Sequence, residues 1–120
     1  MRNFQEDVEQ FMYIGEQPTD VGIDSEQAKL YMNLITEEYL ETLAAYQSKD
    51  LVEVADGLAD MVWVIMGMAS TLNIPFDAVW EEVRNSNMSK FVDGKAIKDE
   101  NGKIQKPDTF FRPDIAKALS

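Results

Sequence analysis

The sequence predicts an all-α fold, a four-to-five-helix bundle with a small β-hairpin-like segment near the C-terminus. Two observations predict it. Apolar residues recur at helical spacing from the N-terminus to about Met88, with cap residues or Pro where the successive runs begin. Hairpin turn chemistry enters only after Lys90.

The elements follow in order. Phe4, Val8, Phe11 and Met12 recur at i, i+4, i+7 and i+8, which marks an amphipathic helix over residues 2–14. Gly15 and Pro18 end it, and residues 15–24 form a loop. Asp24 or Ser25 caps the second helix, with Gln27 as capping-box partner of Asp24. Leu30, Tyr31, Leu34, Ile35, Leu43 and Ala44 trace its apolar face to about Gln47. After a short turn at Ser48-Lys49, Asp50 caps a third helix, with Glu53 at the capping-box position. That helix runs to about Leu72 and is apolar nearly all round from Leu58, as expected of a buried central helix. Gly57 and Gly67 lower its propensity and permit close approach by another backbone or a ligand. Asn73 ends it, and Pro75 starts a fourth helix that reaches about Met88. Residues 95–106 read as a hairpin turning at Asn101-Gly102, and Asp114 caps a last short helix. No Pro/Gly/Ser-rich linker interrupts the chain. A single domain over residues 1–120 is expected, with a helical core over 2–89 and a basic hairpin and tail over 90–120.

Composition narrows the chemistry. The chain has no cysteine and no histidine, which removes disulfides, thiol nucleophiles, Cys-type zinc sites, Ser-His-Asp triads and the Glu-x-x-His pairs of ferritin-like diiron sites. Acid–base work would fall to carboxylates, lysines, tyrosines or a metal. The net charge of −11 is uneven: residues 1–83 hold 17 acids and 3 bases, whereas residues 84–120 hold 5 acids and 8 bases. The acidic part repels nucleic-acid backbone, so no duplex binding is expected. The asymmetry suits acids that hold a divalent ion and a basic tail that meets a polyphosphate, and charge alone equally describes an acidic, soluble helical protein with a lysine-bearing tail. No secretory signal opens the sequence, and the longest uncharged stretch, Met61 to Phe76, is shorter than the ~20 apolar residues of a spanning helix. A soluble cytoplasmic protein without membrane contact is the expectation.

Five carboxylates stand out. Glu37 and Glu41 are an i, i+4 pair, Glu38 and Glu41 share a face, and Asp56 and Asp60 are an i, i+4 pair in the next helix. Asp60 opens onto Met61-Val62-Trp63-Val64-Ile65-Met66, where an uncompensated charge costs several kcal/mol. With the turn centred on Ser48, antiparallel packing sets Glu41 opposite position 55 and Glu38 opposite position 58, within one turn (~5.4 Å) of the two aspartates. Four like charges in one place need a counter-charge, and an all-oxygen donor set suits a hard ion: Mg²⁺, Mn²⁺ or Ca²⁺. Glu-Glu-x-x-Glu also occurs on solvated helix faces, and Glu53 has a capping role to fill.

Glu37-Glu38-Tyr-Leu-Glu41, followed by Asp56-Gly-Leu-Ala-Asp60-Met-Val-Trp-Val-Ile, resembles the all-α nucleoside triphosphate pyrophosphohydrolases, the MazG-like proteins that include the phosphoribosyl-ATP pyrophosphohydrolases and dimeric dUTPases. Ser86-Asn87-Met88-Ser89-Lys90, then Asp93-Gly94-Lys95, Asn101-Gly102-Lys103-Ile104 and Lys106-Pro107, resembles one MazG-like branch, so the resemblance spans roughly residues 26–115. It implies Mg²⁺-dependent cleavage of a nucleoside triphosphate between the α- and β-phosphates, with Mn²⁺ as a substitute, in a homodimer or larger homo-oligomer. It implies nucleotide-pool sanitation as the role. Glu38, Glu41 and Asp60 match the family's metal ligands. Glu37 matches the first Glu of the pair, a ligand or a base that orients the attacking water, so Glu37 and Glu38 are the catalytic candidates. Asn87 and Lys90 match the segment that steadies the triphosphate, with Lys106, Lys103 and Arg84 as further basic candidates. Trp63, one turn beyond Asp60, is either a core residue or a platform for the base. The chain departs from the family where a Glu three residues before the last Asp is usual, because that place is Gly57. Either Asp56 takes the ligand role there, or Glu53-Val-Ala-Asp56 supplies the spacing. Two other readings remain open: a non-catalytic acidic helical interaction or regulatory module, and a family member that binds nucleotide without hydrolysing it.

Overall fold

A computed structural model describes residues 2–120, and five helices form among them: α1 (Phe4–Ile14), α2 (Glu26–Gln47), α3 (Leu51–Thr71), α4 (Phe76–Met88) and α5 (Ile115–Leu119). They fall into two compact units, Met1–Ile74 with α1–α3 and Pro75–Ser120 with α4 and α5. The helical core expected to run to residue 89 therefore divides before α4.

The first unit is built by its caps. Asn3 Oδ1 accepts from the Glu6 N–H to start α1, which begins at Phe4 and not at residue 2. Gly15 ends it, with its N–H on the Phe11 carbonyl, and Glu16 follows at φ 56°. The cap of α2 is Ser25, whose hydroxyl accepts from Ala28 N–H at 3.1 Å; Asp24 lies outside the helix. α2 closes at Ser48, and Lys49 reverses the chain at φ 58°. Asp50 then caps α3 by accepting from Glu53 N–H at 3.2 Å. Asn73, at φ 54°, turns the chain out of α3. The loop between α1 and α2 is tied back by Asp20 and Val21 N–H groups on the Ser70 and Thr71 carbonyls. Gln17 Oε1 accepts from the Tyr31 hydroxyl at 2.6 Å and from Gln27 at 3.1 Å.

α3 packs against both α2 and α1. Its glycines set the closeness of the first crossing. A Cβ at residue 57 would collide with Thr42 Oγ1, and one at residue 67 with the Tyr31 ring. The close approach expected at both glycines is thus made by side chains of α2. The core comprises Val8, Met12, Ala28, Tyr31, Val64, Met66 and Ala69, closed by Thr71, whose hydroxyl donates to the Gly67 carbonyl at 2.7 Å. α3 is less buried than its sequence predicts: Leu58 is 52% exposed and Trp63 39%. Two helices cover two sides of α3, and a third stripe faces outward.

In the second unit Pro75 is the N-cap of α4 and supplies no side-chain hydrogen bond. Asp114 caps α5 as expected, accepting from Lys117 N–H at 3.1 Å. Between them, Ser86 Oγ donates to the Phe111 carbonyl at 2.7 Å, and Ser89 Oγ donates to the Ser86 carbonyl and accepts from Phe111 N–H. The hairpin expected over residues 95–106 reduces to isolated antiparallel bridges, Val92 with Lys95 and Lys98 with Ile104. Its turn forms: Asp99 Oδ1 accepts from both Asn101 and Lys103 N–H groups, and Gly102 sits at φ 80°, where a Cβ is disfavoured. Among the described residues no helix is long and apolar enough to cross a membrane.

Candidate active site

The α2–α3 crossing places the acids. The contacts Thr42 with Gly57 and Tyr31 with Gly67 are symmetric about position 49 or 49.5, not 48. The difference arises at the turn, where Lys49 adopts the left-handed conformation and Asp50 N–H returns to the Ala45 carbonyl. The register therefore moves by two to three residues. Glu38 lies level with residues 60–61, so Asp60 stands across from it, and Glu41 lies level with residues 57–58.

Glu38, Glu41, Asp56 and Asp60 come together as a charge cluster. Burial pushes the Glu38 carboxyl above its ordinary range, and Glu41, Asp60 and Asp56 push it further. Burial likewise raises Asp60, followed by Asp56 and then Glu41. Each raised acid also has a carboxyl neighbour close enough to share a proton, Glu41 for Glu38 and Asp56 for Asp60. Glu38 and Asp60 are half-buried, whereas Glu37, Glu41 and Asp56 are exposed. Glu38 Oε2 is buried and accepts no hydrogen bond. Among the described residues the salt bridge is Arg2 with Asp7 at 3.3 Å, so no lysine or arginine compensates the four acids.

The donor chemistry, though not a preformed geometry, is of the kind a hard divalent cation takes. It is all oxygen, its charge is unbalanced, and one buried lone pair is unclaimed. Among the described residues no group of three or more carboxylates is placed so that it could hold a metal ion as it stands, so the acids converge in charge without a preformed coordination shell. Asp56 belongs to the cluster, while the Glu53 carboxylate is not among the charges acting on Glu38 or Asp60.

The other candidates lie elsewhere. Trp63 is no core residue: it lines a cavity of about 280 Å³ with Phe4, Val8, Ala59, Val62 and Met66, rimmed by the Arg2–Asp7 pair. Its ring meets Phe11 edge to face at 5.3 Å. In the second unit Asn87 and Lys106 are exposed and Lys90 is half-buried. The Lys90 and Lys106 ammonium groups lie 6.0 and 5.2 Å from the centre of the Phe110 ring. Arg84 is engaged by Asn85 at 2.9 Å. Two relevant residues escape sequence reasoning. Thr42 gives no chemical signal, although its place one turn beyond Glu38 would have put it on the α3-facing side. Phe110 sits in a Phe-Phe pair that resembles any buried aromatic step.

No curated protein matches the chain. A family model described as phosphoribosyl-ATP pyrophosphohydrolase matches residues 6–87 and so takes in all five acids. The chain belongs to the phosphoribosyl-ATP pyrophosphohydrolase family of the all-α NTP pyrophosphohydrolases, a family of hydrolases acting on acid anhydrides.

Proposed function

We propose that the protein is a Mg²⁺-dependent nucleoside triphosphate pyrophosphohydrolase, cleaving a (d)NTP to the monophosphate and pyrophosphate. The observation that carries this is the unclaimed Glu38 Oε2 within four carboxylates that, among the described residues, form no ion pair with a lysine or arginine. Glu38, Glu41, Asp56 and Asp60 are the residues that would hold the ion. Mg²⁺, or Mn²⁺ in its place, supplies Lewis acidity toward phosphoryl oxygens and lowers the pKa of a water. Glu37, exposed on α2 beside Glu38, orients the attacking water and accepts its proton. Asn87, Lys90 and Lys106 are the phosphate-binding candidates of the second unit, and Trp63, with its partly exposed ring, is the base-stacking candidate of the first. Nucleotide-pool sanitation is the role this chemistry suits.

A second reading, a phosphoribosyl-ATP-like substrate, is favoured by the family match. It uses the same α–β cleavage, and the same experiment decides between the two. Canonical and modified (d)NTPs and phosphoribosyl-ATP are incubated with Mg²⁺ or Mn²⁺, and pyrophosphate is separated from phosphate. Pyrophosphate release from at least one nucleotide, abolished by EDTA, is expected. Release of phosphate alone would refute the cleavage position. No turnover of any substrate would favour the non-catalytic readings.

We also propose a homodimer. Tyr39, Leu40, Leu51 and Leu58 of α2 and α3 are each more than half exposed, an apolar surface on the helices that carry the acids. Sedimentation equilibrium should give twice the 13.7 kDa chain mass. Leu58→Lys should return the protein to a monomer.

A further inference from the structure

The second unit gathers two ammonium groups over one aromatic ring. Lys90 lies 6.0 Å and Lys106 5.2 Å from the centre of Phe110. Both distances are within the range of cation–π attraction, worth about 0.5–1 kcal/mol at an exposed site. Two ammonium groups drawn to one ring repel each other, and no carboxylate forms an ion pair with either among the described residues. The net attraction for an anion at this place is correspondingly unspent.

The backbone that carries the ring is anchored. Thr109 Oγ1 donates to the Ser89 carbonyl at 3.3 Å, and Phe111 N–H donates to Ser89 Oγ at 3.0 Å. Ser86 Oγ donates to the Phe111 carbonyl at 2.7 Å, and Phe110 N–H closes a turn on the Pro107 carbonyl at 3.0 Å. Hydrogen bonds on both sides of residue 110 thus bind the segment to the C-terminal end of α4, where Lys90 follows. Free lysine side chains lose up to about 2 kcal/mol of rotamer entropy when a ligand orders them. A ring that orders both beforehand reduces that loss on binding.

We infer that Phe110 is a positioning residue that holds Lys90 and Lys106 together as a receptor for a di- or triphosphate group. The inference rests on the reading above that these lysines meet the substrate's phosphates, and it assigns the geometry to a side chain with no charge of its own.

The test uses the full-length, metal-free protein with inorganic pyrophosphate as probe, titrated by calorimetry at low ionic strength. Wild type should bind with an affinity that falls as salt rises. Phe110→Leu, which retains apolar volume, should weaken binding about 3–10-fold, comparably to Lys106→Gln. Phe110→Trp should preserve it. If Phe110→Leu proves unfolded by circular dichroism, pentafluorophenylalanine at position 110 replaces it. That ring keeps the shape, reverses the quadrupole and should cause the same loss. Unchanged binding in Phe110→Leu or the fluorinated protein would overturn the inference, as would pyrophosphate binding that survives Lys90→Gln and Lys106→Gln together. Hydrolysis is scored separately, as kcat and KM. A KM increase at constant kcat in Phe110→Leu supports the inference. Absence of turnover in wild type overturns the enzymatic reading and leaves the pyrophosphate titration to decide this one.

Discussion

Glu38→Gln and Asp60→Asn should abolish pyrophosphohydrolase activity and, without metal, make the protein more stable. Outer-shell changes at metal sites cost about 10–100-fold, so loss of a ligand charge should exceed roughly 10²-fold. The stability gain has a separate cause. Burial and neighbouring acids raise both carboxyls above their ordinary values of 4.5 and 3.8, and Glu38 Oε2 has no partner. An amide at either place is uncharged and donates to the adjacent Glu41 or Asp56 carboxylate. Relief of a buried unsatisfied group is worth about 1–3 kcal/mol, and each kcal/mol moves Tm by roughly 4 °C in a domain of this size. The sign with pH follows from the direction of the shift. A carboxyl whose folded pKa is raised favours the fold while protonated, and that advantage is lost as pH rises from the unfolded value through the folded one. The Tm difference between variant and wild type should therefore be small near pH 4, grow as pH rises, and level off above the folded pKa values. Saturating Mg²⁺ should reverse the order, since binding at 100 times Kd stabilises wild type by about 2.7 kcal/mol. Thermal melts across pH, with and without Mg²⁺, check both halves. Variants less stable than wild type at neutral pH without metal would show that the four acids are not in mutual repulsion.

The pairing of acids within each helix was legible because it depends on spacing alone. Glu38 with Glu41 and Asp56 with Asp60 follow from 3.6 residues per turn, and Asp50, Asn73 and Asp114 act at the boundaries their chemistry announces. What crosses between helices was less legible. Sequence spacing centres the turn one residue early because nothing in Ser48-Lys49-Asp50 reveals that Lys49 takes a positive φ. A single-residue error at a turn becomes a two-residue error in register, which hid the pairing of Glu38 with Asp60. The apolar composition of α3 predicts full burial, yet composition cannot say how many neighbours a helix has. Leu58 and Trp63 face outward because the first unit supplies two helices to cover α3. The hairpin was read from Asn101-Gly102, which makes the turn, but turn chemistry does not secure the flanking ladder, and isolated bridges resulted.

Restoring the family's usual glutamate at residue 57 should damage this protein. Gly57 is buried at the α2–α3 crossing, and a Cβ there would collide with Thr42 Oγ1 and lie 3.0 and 3.3 Å from Thr42 Cβ and Cα. The Cα cannot rotate away. Thr42 Oγ1 is also held, donating to the Glu38 carbonyl at 2.7 Å. Gly57→Ala gains about 1 kcal/mol in helix propensity and loses about 1–3 to overpacking, so net destabilisation of up to ~2 kcal/mol is expected. Gly57→Glu adds a carboxylate beside Glu38 and Glu41 and should lose about 3 kcal/mol or more. In a Thr42→Ala background the loss from Gly57→Ala should shrink by about 1 kcal/mol, and an unchanged loss would exclude this contact as the cause. We propose that an exposed neighbour already in the cluster takes the glutamate's ligand place. Asp56 acts directly on Asp60, whereas the Glu53 carboxylate acts on neither raised acid. Asp56→Asn should lower Mn²⁺ affinity about 10–100-fold with little change in Tm, and Glu53→Gln should leave affinity unchanged. The opposite result in a calorimetric titration would assign the place to Glu53. Gly57 and Asp56 then act together: the glycine lets α2 and α3 approach closely enough to face Glu38 with Asp60, and the aspartate supplies the charge that the glycine cannot.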